Sequence, residues 1–236
     1  MSRGVCGLLI VAVLSGGNSG GIAQERERPP TAETPESKDP AAGYVRGDSR
    51  SVLDEAYLPA PLTPDRREVW DRMRRDTTSV EAFYDLGNAY YDEGSLERAG
   101  AALNEALERD PDHLASLVNL GVVLNEMGRA DEAMGHLARA VERSPDDVLA
   151  LCNLGLSYYA KGDHAKAVDL YTRALATEPD SQLAHYNLGV AFADAGIYQE
   201  AIREWELVIR ANPDSDGARQ AQDNIRVIRN LLRHSE

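Results

Sequence analysis

The chain has 236 residues, with 39 acidic side chains against 25 basic ones and a formal net charge of −14. That balance argues against nucleic acid, whose phosphates require clustered Lys and Arg, and it disfavours anionic lipid surfaces. Its two cysteines, Cys6 and Cys152, leave one thiol once the leader described below is removed, so no internal disulfide is expected. The charge is uneven: Ser79 to the C-terminus holds 27 acidic and 14 basic residues, whereas Gln24 to Thr78 holds 12 and 10.

The first 23 residues read as an export signal. Arg3 precedes an uncharged, mostly apolar run from Gly4 to Leu14, and Gly21-Ile22-Ala23 offers small residues at the positions a signal peptidase requires. Cleavage after Ala23 is expected. The alternative is an N-terminal membrane anchor. An 11-residue core spans only about 16 Å as helix, against ~30 Å of hydrocarbon. Cys6 precedes most of the apolar run, the wrong side for lipid attachment. Export implies a periplasmic or secreted location.

Residues 24–62 hold Pro29, Pro30, Pro35, Pro40, Pro59 and Pro61 among Glu, Thr, Ser and Gly, too little apolar surface to offset chain ordering. A disordered tether is expected there. Thr63-Pro64 has the form of an N-cap with proline at the first helical position. It opens a short helix within residues 63–78, with Val69, Trp70 and Met73 on one side.

Four segments then recur every 34 residues. Phe83-Tyr84-Asp85-Leu86-Gly87 returns as Leu117-Val118-Asn119-Leu120-Gly121, Leu151-Cys152-Asn153-Leu154-Gly155 and His185-Tyr186-Asn187-Leu188-Gly189. An alanine follows each glycine by twelve positions (Ala99, Ala133, Ala167, Ala201), and Pro-Asp follows twelve further on, at Pro111, Pro145, Pro179 and Pro213. A second glycine marks an inner turn at Gly94, Gly128, Gly162 and Gly196. The small residues permit close approach of paired helices. Leu103, Leu137, Tyr171 and Trp205 supply the filler between them, each stabilising by roughly 1.5–3 kcal/mol on burial. Proline stops the second helix, and the aspartate after it is expected to help start the next. One hairpin cannot cover its own apolar face, so the units must stack.

The period and its signature residues closely resemble the tetratricopeptide repeat (TPR) family, in four copies over 80–113, 114–147, 148–181 and 182–215. His185 and Val208, both in the last copy, are the departures. The resemblance implies an all-α, right-handed superhelical solenoid of antiparallel helix pairs. Residues 216–234 read as a C-terminal capping helix, with Ala218, Ala221, Ile225, Ile228 and Leu232 in one apolar stripe and Arg219, Arg226, Arg229 and Arg233 largely outside it.

In this family the first helix of each repeat lines a concave groove that takes extended peptides or partner helices. Residue by residue, the resemblance assigns to it Tyr84, Asp85, Asn88 and Tyr91 from the first repeat, and Asn119, Val122 and Asn125 from the second. The third gives Cys152, Asn153, Leu156 and Tyr159, and the fourth Tyr186, Asn187 and Val190. Acids fall there too, among them Asp92, Glu126 and Asp194. Asn119, Asn153 and Asn187 repeat at one position, which resembles the asparagine ladder of the protein O-GlcNAc transferases. A free amide carries donor and acceptor for a peptide backbone. The alternative is that these asparagines are simply solvated consensus residues. The carboxylate clamp of chaperone-binding TPR domains is not matched, because Tyr84, Leu149 and Asn153 stand where basic residues are required. The expected partner is a protein or peptide with an apolar or mildly basic segment, anchored on tyrosines. A structural self-association module is the alternative.

No catalytic residue, cofactor, metal or small-molecule substrate is expected. The five His residues show no metal-ligand spacing, and no phosphate loop or nucleophile elbow is present. Asn212, Asp214, Asp216, Gly217 and Asp223 fit a calcium-loop spacing. However, Pro213 is the repeat's helix stop, and Arg219 replaces the usual apolar residue. A protein-binding scaffold of the envelope or secretion machinery is the functional expectation.

Overall fold

The computed structural model describes residues 64–233 except Thr77. The expected leader (1–23), tether (24–62), Thr63 cap and final residue of the capping helix lie outside the described residues. Those residues form ten α-helices and no strand: α1 Pro64–Arg75, α2 Val80–Asp92, α3 Leu96–Arg109, α4 Leu114–Glu126, α5 Ala130–Arg143, α6 Val148–Ala160, α7 His164–Thr177, α8 Gln182–Asp194, α9 Tyr198–Ala211 and α10 Asp216–Arg233. The solenoid is built from the hairpins α2–α3, α4–α5, α6–α7 and α8–α9. Within each, a first (A) helix packs on a second (B) helix, and each B helix packs on the next A helix. Successive A helices also touch, so α2, α4, α6 and α8 form one continuous wall.

Local chemistry sets the boundaries. The A-to-B turn passes through Gly94, Gly128, Gly162 or Gly196; Gly162, for example, has φ +82°, a left-handed conformation that strains any residue with a Cβ. The Ser79 hydroxyl accepts from Ala82 N–H at 3.2 Å, and the Asp147 carboxylate from Ala150 N–H at 2.7 Å. The aspartate directly after each proline is not the N-cap, which corrects the sequence expectation. The helices open from the next residue, His113, Asp147, Ser181 and Ser215. Asp112 instead pairs with Arg143 of α5, the B helix of the next repeat.

The core lies between the helices of each hairpin. Phe83, Leu117 and Leu151 are fully buried, as are Ala99, Ala133, Ala167 and Ala201. Each filler stands over its glycine. A Cβ built on Gly87 would come within 2.7 Å of Leu103 Cγ, on Gly121 within 2.3 Å of Leu137 Cγ, on Gly155 within 2.5 Å of Tyr171 Cε1, and on Gly189 within 2.5 Å of Trp205 Nε1.

Both departures in the last repeat are accommodated. His185 occupies a core position yet meets the Glu204 carboxylate at 2.7 Å and the Pro179 carbonyl at 2.9 Å, so its polar ring is not buried without partners. Val208 is fully buried where the other repeats carry alanine. Helix α10 begins 34 residues after α8, packs on α9 and touches α8, the placement of a fifth A helix. Its stripe of Ala218, Ala221, Ile225 and Ile228 is buried. Arg219, Arg226 and Arg229 are exposed and paired with Asp216, Asp223 and Glu206.

Two helix glycines are expected to respond oppositely to alanine. Gly121→Ala drives a methyl into the fully buried Leu137 and should destabilise by about 1–3 kcal/mol despite the gain in helix propensity. At Gly135 of α5 an added Cβ meets nothing within 4 Å, so Gly135→Ala should stabilise by about 0.5–1 kcal/mol. Urea unfolding of both variants measures the two signs.

Candidate partner-binding groove

The A-helix wall is chemically unlike the rest of the molecule. Its four helices carry five acids, Glu81, Asp85, Asp92, Glu126 and Asp194, and no lysine or arginine. The B helices mix both signs, with basic residues in every one. The acids of the wall are not equivalent. Asp85 is neutralised by Arg72 of α1 at 2.7 Å. Glu126 accepts from the Tyr91 hydroxyl, and Asp194 accepts from the Tyr159 hydroxyl.

Other side chains expected in the groove also join neighbouring repeats. Asn119 Nδ2 donates to Asn88 Oδ1 at 2.7 Å and lies 3.4 Å from the Tyr84 hydroxyl. Asn125 Nδ2 donates to the Asn153 carbonyl at 2.9 Å, and the fully buried Ser157 hydroxyl donates to Asn125 Oδ1 at 2.7 Å. Asn153 Nδ2 turns back to the Leu149 carbonyl at 2.9 Å. The amides of Asn119 and Asn153 are therefore engaged inside the fold. The side-chain amide of Asn187, alone of the three, makes no hydrogen bond to a described residue.

Eleven of the fourteen sequence-assigned residues are partly exposed on this wall: Tyr84, Asp85, Asn88, Tyr91, Asn119, Val122, Asn125, Leu156, Tyr159, Asn187 and Val190. Three are not surface groups. Cys152 is 0 % exposed, because it faces the hydrophobic core shared by adjacent hairpins. Asn153 is buried at 9 %. Tyr186 is 4 % exposed, because α10 covers it and Asn224 Nδ2 donates to its hydroxyl at 3.3 Å. Burial also removes the Cys152 thiol from redox or nucleophilic work, pushing its pKa up to about 12.

The sequence reading missed what α10 adds. Treated as a fifth A helix, it places Asn224 and Val227 at groove positions, with Val227 51 % exposed. Leu231, near the end of α10, and its counterpart one repeat earlier, Ile197, at the turn before α9, are exposed. The interval of 34 from Gln182 to Asp216 was the available signal, hidden because none of the family's glycine, alanine and proline markers continues into this segment.

Away from the wall, a shallow outer cleft is lined by Pro145, Asp146, Arg173, Ala176 and Thr177, with Arg173 3.4 Å from the Pro145 carbonyl. It brings together no set of groups suited to catalysis. Among the described residues no cluster of His, Cys, Asp or Glu has the arrangement of a metal site, and no helix is long and apolar enough to cross a membrane.

Because Cys152 is sealed in the core, a thiol-specific chromogenic reagent at pH 8 should leave it unmodified in the folded Cys6→Ser variant, whose one thiol it is, and react once urea unfolds the chain. The kinetics of colour release measure this, and rapid modification without denaturant would contradict the packing.

Comparison with known proteins agrees with this architecture. Two tetratricopeptide repeat models match, one over residues 78–146 and 112–177, the other over 152–216. Similar solved structures include MamA from Desulfovibrio magneticus RS-1, 22% identical with a TM-score of 0.56, covering 64% of this chain and 85% of that one. YrrB, described as a TPR protein with an unusual peptide-binding site, is 23% identical with a TM-score of 0.54, covering 67% and 81%. TTC0263 of Thermus thermophilus, a thermophilic TPR protein, is 20% identical with a TM-score of 0.60, covering 68% and 88%. At these identities the likeness is one of fold. No curated protein matches the chain in sequence. With four 34-residue hairpins, glycine–filler contacts in each, and family models spanning residues 78–216, this chain belongs to the tetratricopeptide repeat family.

Proposed function

We propose that the protein is a non-enzymatic scaffold that holds a segment of another protein along its A-helix wall. The observation carrying this reading is the contrast between surfaces. The wall presents half-exposed tyrosines, aliphatics and amides with no cation, whereas the arginines of the B helices and α10 are largely engaged with their own neighbours. Tyrosine and aliphatic surface supplies binding area at low entropic cost. The peptide-binding site named for YrrB supports the same use of the fold. Nucleic acid and small metabolites are poor fits, because the wall offers neither cations for phosphate nor an enclosed polar pocket. The signal-like residues 1–23 support placement in the cell envelope or outside it, in assembly or secretion, either free or held by an uncleaved leader.

The test uses Asn187→Arg/Val190→Arg, which puts charge and bulk on two half-exposed wall positions. A partner captured from native envelope extract by the wild type should be lost by this variant at unchanged far-UV circular dichroism. Retention of the partner by the folded variant would move the site off the wall.

A second reading, self-association, is favoured by one observation: Val227 and Leu231 leave apolar surface on the terminal helix. Light scattering decides it. A mass that rises with concentration for the wild type and falls to the monomer for Val227→Glu/Leu231→Glu is its expected signature, and a constant monomer mass removes it.

A further inference from the structure

Two places on the wall repeat one device, two repeats apart. Tyr91 of α2 donates its hydroxyl to Glu126 of α4, and Tyr159 of α6 donates its hydroxyl to Asp194 of α8. Both carboxylates are exposed and both tyrosines half-buried. The intervening pair of helices, α4 and α6, is joined differently, through the neutral Asn125–Asn153–Ser157 network. One hydroxyl satisfies only one of a carboxylate's several acceptor directions, so each acid keeps acceptor capacity towards solvent. No described basic residue neutralises either. The cations of the neighbouring turns are already used, Arg129 by Glu132 and Lys161 by Asp131. A carboxylate held beside an aromatic ring is a receptor for guanidinium or ammonium, which gains an ion pair and contact with the ring together.

We infer that the wall selects an extended segment carrying two basic side chains about five or six residues apart, one seated at Tyr91/Glu126 and the other at Tyr159/Asp194. The spacing follows from the stacking. Helices in contact lie about 8–10 Å apart, so the two sites are separated by about 16–20 Å, and an extended chain advances about 3.3 Å per residue. Val122 and Leu156 lie one helical turn before Glu126 and Ala160, on the helices between the sites, and give an apolar residue of the segment a place to rest. Asp85 takes no part, because Arg72 already neutralises it. This inference rests on the groove reading and adds to it the partner's charge and register.

The test measures fluorescence anisotropy of the full chain with labelled 16-residue peptides. They are built from Ser and Ala around a central Leu, with two arginines separated by two, six or eleven positions. The six-position peptide should bind about fivefold or more tightly than the other two. Glu126→Gln and Asp194→Asn, which preserve acceptors for the tyrosines, should each weaken it about fivefold and abolish the spacing preference. Glu142→Gln, on the exposed face of α5, should leave it unchanged. Equal binding at all spacings, indifference to both acid variants, or no binding of the six-position peptide overturns the inference. Leu156→Arg separates the two levels. A peptide displaced by Leu156→Arg but indifferent to Glu126→Gln and Asp194→Asn leaves the groove reading standing and removes this one. A bound peptide indifferent to all three removes both.

Discussion

Everything in this molecule depends on the close approach of two helices at a glycine. In each hairpin one large side chain of the B helix occupies space that a Cβ on the A helix would fill, with residual distances of 2.3–2.7 Å. That fit brings each A helix onto its B helix and fixes the angle at which the next hairpin is received. The chemistry of the filler is freer than its position. Leucine serves in the first two repeats, tyrosine in the third and tryptophan in the fourth. Trp205 also donates its indole N–H to the Tyr186 carbonyl at 3.1 Å, so a polar atom in the core is satisfied.

This constraint creates the A-helix wall as a by-product. Because fillers and alanines consume one face of each A helix, the opposite face is left to form a wall. Repetition at 34 residues aligns the same positions side by side, where long polar side chains reach across: Asn119 to Asn88, Asn125 to Asn153, Tyr91 to Glu126 and Tyr159 to Asp194. Each crossing reduces relative motion of neighbouring hairpins and so prepares the wall to receive a ligand with less ordering cost. It also uses up hydrogen-bonding capacity, and the amides of Asn119 and Asn153 are therefore parts of the frame rather than free contacts. Anionic groups left with acceptor capacity, Glu126 and Asp194, are the scarcer resource on such a surface.

The array has to end without exposing a hairpin face, and α10 achieves this by being two-sided. Its inner stripe seals the fourth repeat, and Arg219, Gln222, Asp223 and Arg226 occupy the side where another B helix would pack. Solvation of that side stops propagation. Its groove-side residues extend the wall instead, and Asn224 binds Tyr186 as part of that continuation.

The sequence by itself determined the helix count of the repeat region, the pairing within hairpins and the identity of the core. Glycine, alanine, filler and proline recur in fixed register, and each is dictated by local backbone geometry or by one neighbouring helix. The family resemblance, read on the same register, suggested which positions face the wall. Tertiary structure alone decided which of those residues are available. Cys152 and Tyr186 sit at groove positions by periodicity and are sealed by packing, Asn153 is folded back on its own helix, and His185 becomes a core residue through Glu204 and Pro179. Exposure, hydrogen-bond partnership and charge neutralisation depend on side chains 13 to 38 positions away in sequence, across a neighbouring helix or repeat. A periodic pattern specifies a position's direction on its own helix, and the packed neighbour decides whether that direction leads to solvent.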